Sequence, residues 1–187
     1  MLLVFISTTY FIYDFKGNIM ARKDFSLIDA APSTIASILF ISQIISGLYL
    51  LSEVNQIEIL AYAGVGLYIF SGLVFGMLPT FEFRRKGRVQ KGKSYIHTTK
   101  LVDTGIYSIV RHPQYVSFIL FAIAGMLLFQ HWIVFSLGIP IIPLIYIDLI
   151  NADKQGIKKF GKDYEKYMQK VPRANFLIGI IRKFFKK

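Results

Sequence analysis

Residues Ala31 to Leu51 form an apolar run that contains no charged side chain. As a helix rising about 1.5 Å per residue, such a run covers about 30 Å, the thickness of the hydrocarbon core of a bilayer. Backbone in hydrocarbon must satisfy its own hydrogen bonds, which restricts the chain to helices or a closed barrel. Ile57–Pro79 is a second apolar run long enough to cross, with one charged residue, Glu58, at its start. Tyr115–Phe129 and Trp132–Ile150 are two more, with only Gln130-His131 between them, so they read as a helical hairpin. The expectation is an all-α integral membrane protein, a bundle of about five transmembrane segments that ends in the hairpin and a cytoplasmic C-terminal tail helix. Met1–Tyr13 is the fifth candidate: a short span, a tilted interfacial helix, or the remnant of a longer natural N-terminus. It has neither a basic leader nor a small-residue cleavage site, so it does not read as a cleavable signal.

Composition matters here because of how the charges are placed. Hydrophobic residues make up 54% of the 187-residue chain, and the mean hydropathy is +0.50. A soluble fold would scatter its charges, whereas here they cluster between apolar runs. All 22 Lys and Arg residues fall within 14–30, within 81–111 or after Ile150. Met1–Tyr13, Ser52–Gln56 and Gln130-His131 carry none. The positive-inside rule then puts the 81–113 loop and the C-terminal tail together in the cytoplasm. A net charge of +11 placed in this way suits anionic lipid headgroups, and no nucleic acid partner is expected. The absence of Cys removes disulfides, thiol catalysis and Cys-based metal sites, and no metal is expected.

Local signals refine the picture. Pro32 suits the first turn of its helix. Gly64-Val65-Gly66 has no preceding strand and no polar flank, so close helix packing is a better reading than a nucleotide loop, with Gly72 and Gly76 as a GxxxG face. Phe81–Asp103 reads as a basic loop. Pro140 and Pro143 should bend the second arm of the hairpin, and Trp132 suits an interfacial anchor. Ala152–Val171 reads as a charged helix interrupted at Gly161. Ala174–Lys187 reads as an interfacial amphipathic helix, with Leu177, Ile180, Ile181 and Phe184 opposite Arg182, Lys183, Lys186 and Lys187. The chain is expected to be one membrane domain over 1–187, with N-terminal spans over 1–80, a core over 81–173 and the interfacial helix over 174–187.

The run Lys100–Tyr115 concentrates the chemistry. Pro113 opens the hairpin, so the free N–H groups and positive dipole end of that helix face the polar loop. Arg111 and His112 stand at this helix mouth. A guanidinium, an imidazole and a helix N-terminus converging on one point suit a carboxylate or a phosphate. Alternatively, Arg111 meets lipid phosphate and His112 only caps the helix.

The same run resembles the signature of the isoprenylcysteine carboxyl methyltransferase family and its phospholipid N-methyltransferase relatives. It contains Leu101-Val102, Gly105-Ile106-Tyr107 and Arg111-His112-Pro113-Gln114-Tyr115 before a hairpin. Phe160-Gly161-Lys162-Asp163-Tyr164-Glu165-Lys166-Tyr167 and Val171-Pro172-Arg173 are similar to the family's downstream elements, so the resemblance covers about 81–173. It implies an S-adenosylmethionine-dependent methyltransferase with a cofactor pocket outside any Rossmann fold and a lipidic or prenylated acceptor that enters from the membrane. The implied cofactor site comprises Lys100, Leu101, Val102, Gly105, Tyr107, Arg111, His112, Pro113 and Tyr115, with Asp153, Tyr164 and Tyr167. Arg111 and Asp153 are implied at the chemistry. Arg111 and His112 would receive the methionyl carboxylate. Leu101, Val102, Tyr107 and Tyr115 would wall the adenosine, and Tyr164 and Tyr167 would either close a lid or pack the tail.

The sequence departs from the family where it carries paired glutamates. Ala152 and Asp153 stand there instead, and Asp148 lies deeper in the hairpin. Three other functions remain open: N-methylation of an aminophospholipid, an NADPH-dependent sterol-type reductase with a similar Arg-His-x-x-Tyr pattern, and a membrane binding module without turnover.

Overall fold

A computed structural model describes residues 27–88 and 99–185, and every regular element among them is helical. Met1–Tyr13 and the central part of the basic loop lie outside the described residues. Helix α1 runs over Leu27–Tyr49. A short turn leads to α2 (Glu58–Ser71), which continues through a π turn (Gly72–Met77) into α3 (Leu78–Lys86). The hairpin is α4 (Pro113–Phe129) and α5 (Trp132–Phe160). The tail forms α6 (Lys162–Lys170) and α7 (Phe176–Phe185). Among the described residues, three helical stretches are long and apolar enough to cross a bilayer: Ala30–Tyr49, Glu58–Lys86 and Trp132–Phe160. Pro113–Phe129 is a shorter apolar helix.

Two boundaries differ from expectation. Helix α1 starts before the apolar run, so Pro32 lies inside it and not in its first turn. The hydroxyls of Ser33 and Thr34 donate to Ala30 O at 3.2 and 2.9 Å and keep that turn closed. The second span also does not end at Pro79. Its helix continues to Lys86, through residues expected in the loop. The π turn is the reason: Leu78 N–H bonds to Leu73 O, five residues back, and this widened turn takes the helix past the donor that Pro79 lacks. Arg84, Arg85 and Lys86 therefore extend from the bundle on a helical stalk. Helix α5 likewise remains helical through Pro140 and Pro143.

Helix α4 lies centrally, with α2 on one side and α5 on the other, and α1 packs mainly against α5. The closest approach of α2 to α4 is at Gly64, where a Cβ would meet Leu128 N at 2.8 Å and Ala124 O at 2.9 Å. Gly72 and Gly76 do face α4, but a Cβ there would meet Phe121 and Ser117 at ordinary distances of 3.6 and 3.7 Å. The expected GxxxG contact is thus corrected to Gly64, since the Phe121 ring holds the helices apart near Gly72. Ser71 Oγ donates to Ser117 O at 3.1 Å across the same interface. On the other flank Gln43 is buried between α1 and the hairpin, and its Nε2 donates to Ala122 O at 3.0 Å. Gly138 leaves room for that amide.

The bundle has two different ends. At one, Gln130 turns the hairpin in the left-handed region, and its amide both accepts from Ile57 N and donates to Ile57 O. The other end gathers α3, the 99–112 segment, the end of α5 and the tail. The hydropathy pattern expected the two basic segments to share one face, and they meet at this polar end.

Candidate active site at the polar end of the bundle

The site is assembled on the non-helical residues that lead into α4. Pro113 takes the first helical position, as expected, and His112 precedes it with φ −125°. Outside a helix these backbone donors are free to pair with the tail: Arg111 N–H donates to Pro172 O at 3.0 Å and His112 N–H to Arg173 O at 3.2 Å. The Val171-Pro172-Arg173 element is thereby strapped alongside Arg111-His112.

Asp153, 3% exposed, is the centre of the cluster. Its Oδ2 accepts from Arg111 Nη2 at 2.8 Å and from Arg173 Nε at 2.6 Å. Its Oδ1 lies 2.7 Å from His112 Nε2 and accepts from the Tyr164 hydroxyl at 3.0 Å. A carboxylate is an acceptor only, so the imidazole proton belongs on Nε2. Four elements of the chain end on this one side chain: the approach to α4, α5, α6 and the segment after α6.

Arg111 is buried and largely committed. Besides Asp153, its Nη1 donates to Met168 O and Val171 O, both at 2.8 Å, and so caps the C-terminal carbonyls of α6. Only its Nε, also buried, has no partner among the described residues. The guanidinium fork expected to receive a ligand is thus engaged within the chain.

The tyrosines form a second layer. Tyr164, Tyr167 and Val171 make a buried cluster against which Leu101 packs. The Tyr167 hydroxyl donates to Tyr107 O at 2.6 Å, and the Tyr107 ring stacks on Phe83 at 4.5 Å with 5° between planes. Burial pushes the Tyr164 phenol above its ordinary range, and the charge of Asp153 adds to the effect. Burial raises Tyr167 too, with Tyr164 contributing. Both remain neutral donors at physiological pH. Gly161, at φ 56° and ψ −134°, ends α5 and turns α6 back so that Tyr164 meets Asp153.

The remaining expected residues fall around this core. Val102 is buried, and Tyr115 meets His112 edge-on at 5.9 Å. Gly105 has φ +61°, which favours glycine, and a Cβ there would also displace the Glu82 carboxyl, 2.7 Å away. Lys100 is exposed and bonds to Gly87 O through its backbone. Asp148 is buried but outside the cluster, and its Oδ2 has no partner among the described residues.

Sequence reasoning missed Arg173. The motif presents it only as the residue after a Val-Pro pair, although its ion pair with Asp153 is the shortest in the cluster. That hydrogen bond holds its guanidinium above the ordinary range. Its Nη1 lies 3.4 Å from the Tyr146 hydroxyl, on the exposed side of α5. The available signal was position: Arg173 follows the Val-Pro element, two residues after Val171, whose carbonyl bonds Arg111.

Known proteins share this part of the chain. Residues 88–155 match the model of the isoprenylcysteine carboxyl methyltransferase (ICMT) family. The protein-S-isoprenylcysteine O-methyltransferase of Schizosaccharomyces pombe is 31% identical over 121 residues, covering 60% of this chain and 51% of the relative. The chain thus spans about half the length of that curated relative. No solved structure matches the chain. The motifs around Arg111 and Asp153 and the match over residues 88–155 agree, and they identify the chain as similar to the isoprenylcysteine carboxyl methyltransferase family.

Proposed function

We propose that this chain is an S-adenosylmethionine-dependent methyltransferase whose acceptor is a lipid-anchored carboxylate of the isoprenylcysteine type. The observation that carries the reading is the Asp153 cluster. It joins both halves of the family signature at the polar end of an apolar bundle. The name of the Schizosaccharomyces pombe relative supports the acceptor class. The positive-inside rule supports a cytoplasmic polar end, where a water-soluble cofactor can meet an acceptor held in the bilayer.

The residues fit the cofactor on chemistry. Arg111 Nε is a buried donor without a partner among the described residues, suited to a methionyl carboxylate. Tyr115 and Leu101, both half-buried, offer apolar surface for an adenine, while Tyr107 is buried against Phe83. When bound, the cofactor supplies a methyl group on a sulfonium sulfur. The residues of the chain orient and shield. Arg111 and His112 hold the binding side through Asp153, and Tyr164 closes over them as a neutral donor.

The same geometry bears on the acceptor. A carboxylate acceptor is already ionised near neutral pH and needs alignment more than a base. An amine acceptor must also lose a proton. Asp153 accepts from four donors, about the capacity of a carboxylate, and Tyr164 stays protonated. Both act as scaffold and donor. This favours O-methylation over N-methylation and accounts for Ala152 in place of a second acid.

The test uses the full chain in proteoliposomes with methyl-labelled S-adenosylmethionine. We expect a base-labile methyl ester on N-acetyl-S-farnesylcysteine and no label on phosphatidylethanolamine. Label on the amine lipid alone would replace this reading with N-methylation. Calorimetric binding of NADPH but not of S-adenosylhomocysteine would replace it with a reductase. S-adenosylhomocysteine binding without any transfer would leave a binding module.

A further inference from the structure

We propose that Arg173, seated over Tyr146 at the lipid-facing edge of the cluster, receives the carboxylate of the membrane-borne acceptor and selects it against neutral and cationic lipids. The inference rests on the methyltransferase reading and adds the group that recognises the acceptor.

The first ground is charge. Arg111 and Arg173 both pair with Asp153, so two guanidiniums face one carboxylate. One positive charge is in excess even before His112 is counted. A surplus charge at the rim of a buried cluster attracts an anion. The second ground is where the surplus is accessible. The Arg111 side chain is 6% exposed and its Nη groups are committed, whereas the Arg173 side chain is 29% exposed. Arg173 uses Nε for Asp153, and its only other hydrogen bond among the described residues is the long one from Nη1 to the Tyr146 hydroxyl. Nη2 thus has no hydrogen bond among the described residues, and Nη1 holds only that long one, so the outer side of the fork can turn to a carboxylate.

The third ground is the surface beneath. Arg173 Cζ lies 5.7 Å from the centre of the Tyr146 ring. Tyr146 is 48% exposed and continues an exposed ridge of α5 through Pro143, Ile139 and Phe135. These residues are three or four apart, so they line one face and descend about 16 Å into the apolar part of the bundle. An acceptor whose carboxylate meets Arg173 would lay its hydrocarbon tail along this ridge. A phosphatidylethanolamine ammonium would instead meet a like charge.

The test compares N-acetyl-S-farnesylcysteine with its methyl ester, by calorimetry on the full chain in zwitterionic nanodiscs. The wild type should bind the acid more tightly. Arg173→Gln should lower affinity for the acid roughly tenfold or more, the worth of a charge-assisted bond, and leave the ester unchanged. Arg173→Lys keeps the charge beside Asp153 but loses the fork, so it provides a folded variant if the glutamine does not fold. It should show an intermediate loss. Tyr146→Leu should weaken acid and ester alike. Equal binding of acid and ester by the wild type, or binding of neither, overturns the proposal. So does an acid preference that both Arg173 variants retain, which would return Arg173 to lipid phosphate. A loss of S-adenosylhomocysteine affinity in both variants with the acid preference intact also overturns it and assigns Arg173 to the cofactor. If the acid preference behaves as expected but no methyl is transferred, the methyltransferase reading fails and the proposed binding site stands.

Discussion

Asp153 ties together groups from 42 residues before it to 20 residues after it. Removing its charge would leave two guanidiniums without their counter-ion, one of them buried. Breaking a buried ion pair on one side costs about 3–5 kcal/mol. Asp153→Asn should therefore lower the midpoint of thermal unfolding in detergent and make the peptide bonds near 171–175 more sensitive to protease. An unchanged midpoint together with an unchanged digestion pattern would show that the Asp153 charge does not hold the cluster together. The phenols above it give a pH dependence of known sign. Tyr164 and Tyr167 hold their protons more tightly in the folded chain, so above about pH 10 the folded state binds more protons than the unfolded one. Their contribution is fully present below that pH and is lost on the alkaline side, by about 1.4 kcal/mol per pH unit for each phenol. The double change Tyr164→Phe and Tyr167→Phe should flatten the fall in stability between about pH 10 and 12, as followed by circular dichroism.

At the scale of elements, glycines decide how near the helices come. Gly64 meets the backbone of α4, which cannot move aside as a side-chain tip can. Gly64→Val should cost about 1–3 kcal/mol through overpacking. Gly66, with nothing within 4 Å of its Cβ position, should accept alanine without measurable loss, and so should Gly72. Thermal unfolding of the three variants separates this account from a GxxxG contact, which would make Gly72 the sensitive position. The tail follows the same rule. In α7, Gly179 lies against the Ile109 carbonyl, while Phe176 packs on Phe75 at 5.1 Å and Lys183 donates to Ser108 at 2.8 Å. Leu177, Ile181 and Phe184 remain exposed on the outer side. The amphipathic pattern of this helix is legible in sequence, because apolar spacing is a local property. Its seat on the 105–109 segment is not, because a glycine announces no partner.

For the whole molecule, the two ends of the bundle make a topological prediction. The chain has no Cys, so single cysteines report cleanly. Asn55→Cys, in the turn before α2, should label from the outside of intact cells. Gln169→Cys, at the end of α6, should label only after permeabilisation. Labelling of both from one side would refute the orientation. The sequence alone determined the membrane class, the hairpin, the break at Gly161 and the identity of most polar residues at the candidate site. Hydropathy and charge act on the chain locally, and the bilayer sorts them whatever the packing. The tertiary structure decided what those residues touch: that Arg111 caps α6 and pairs within the chain, that Gly64 sets the spacing of α2 and α4, and that the π turn carries the helix past Pro79. It also singled out Arg173. In a tail of many cations, the Val-Pro element marks the position of one arginine, but only folding brings it against a buried carboxylate, because that pairing is a property of three-dimensional closure.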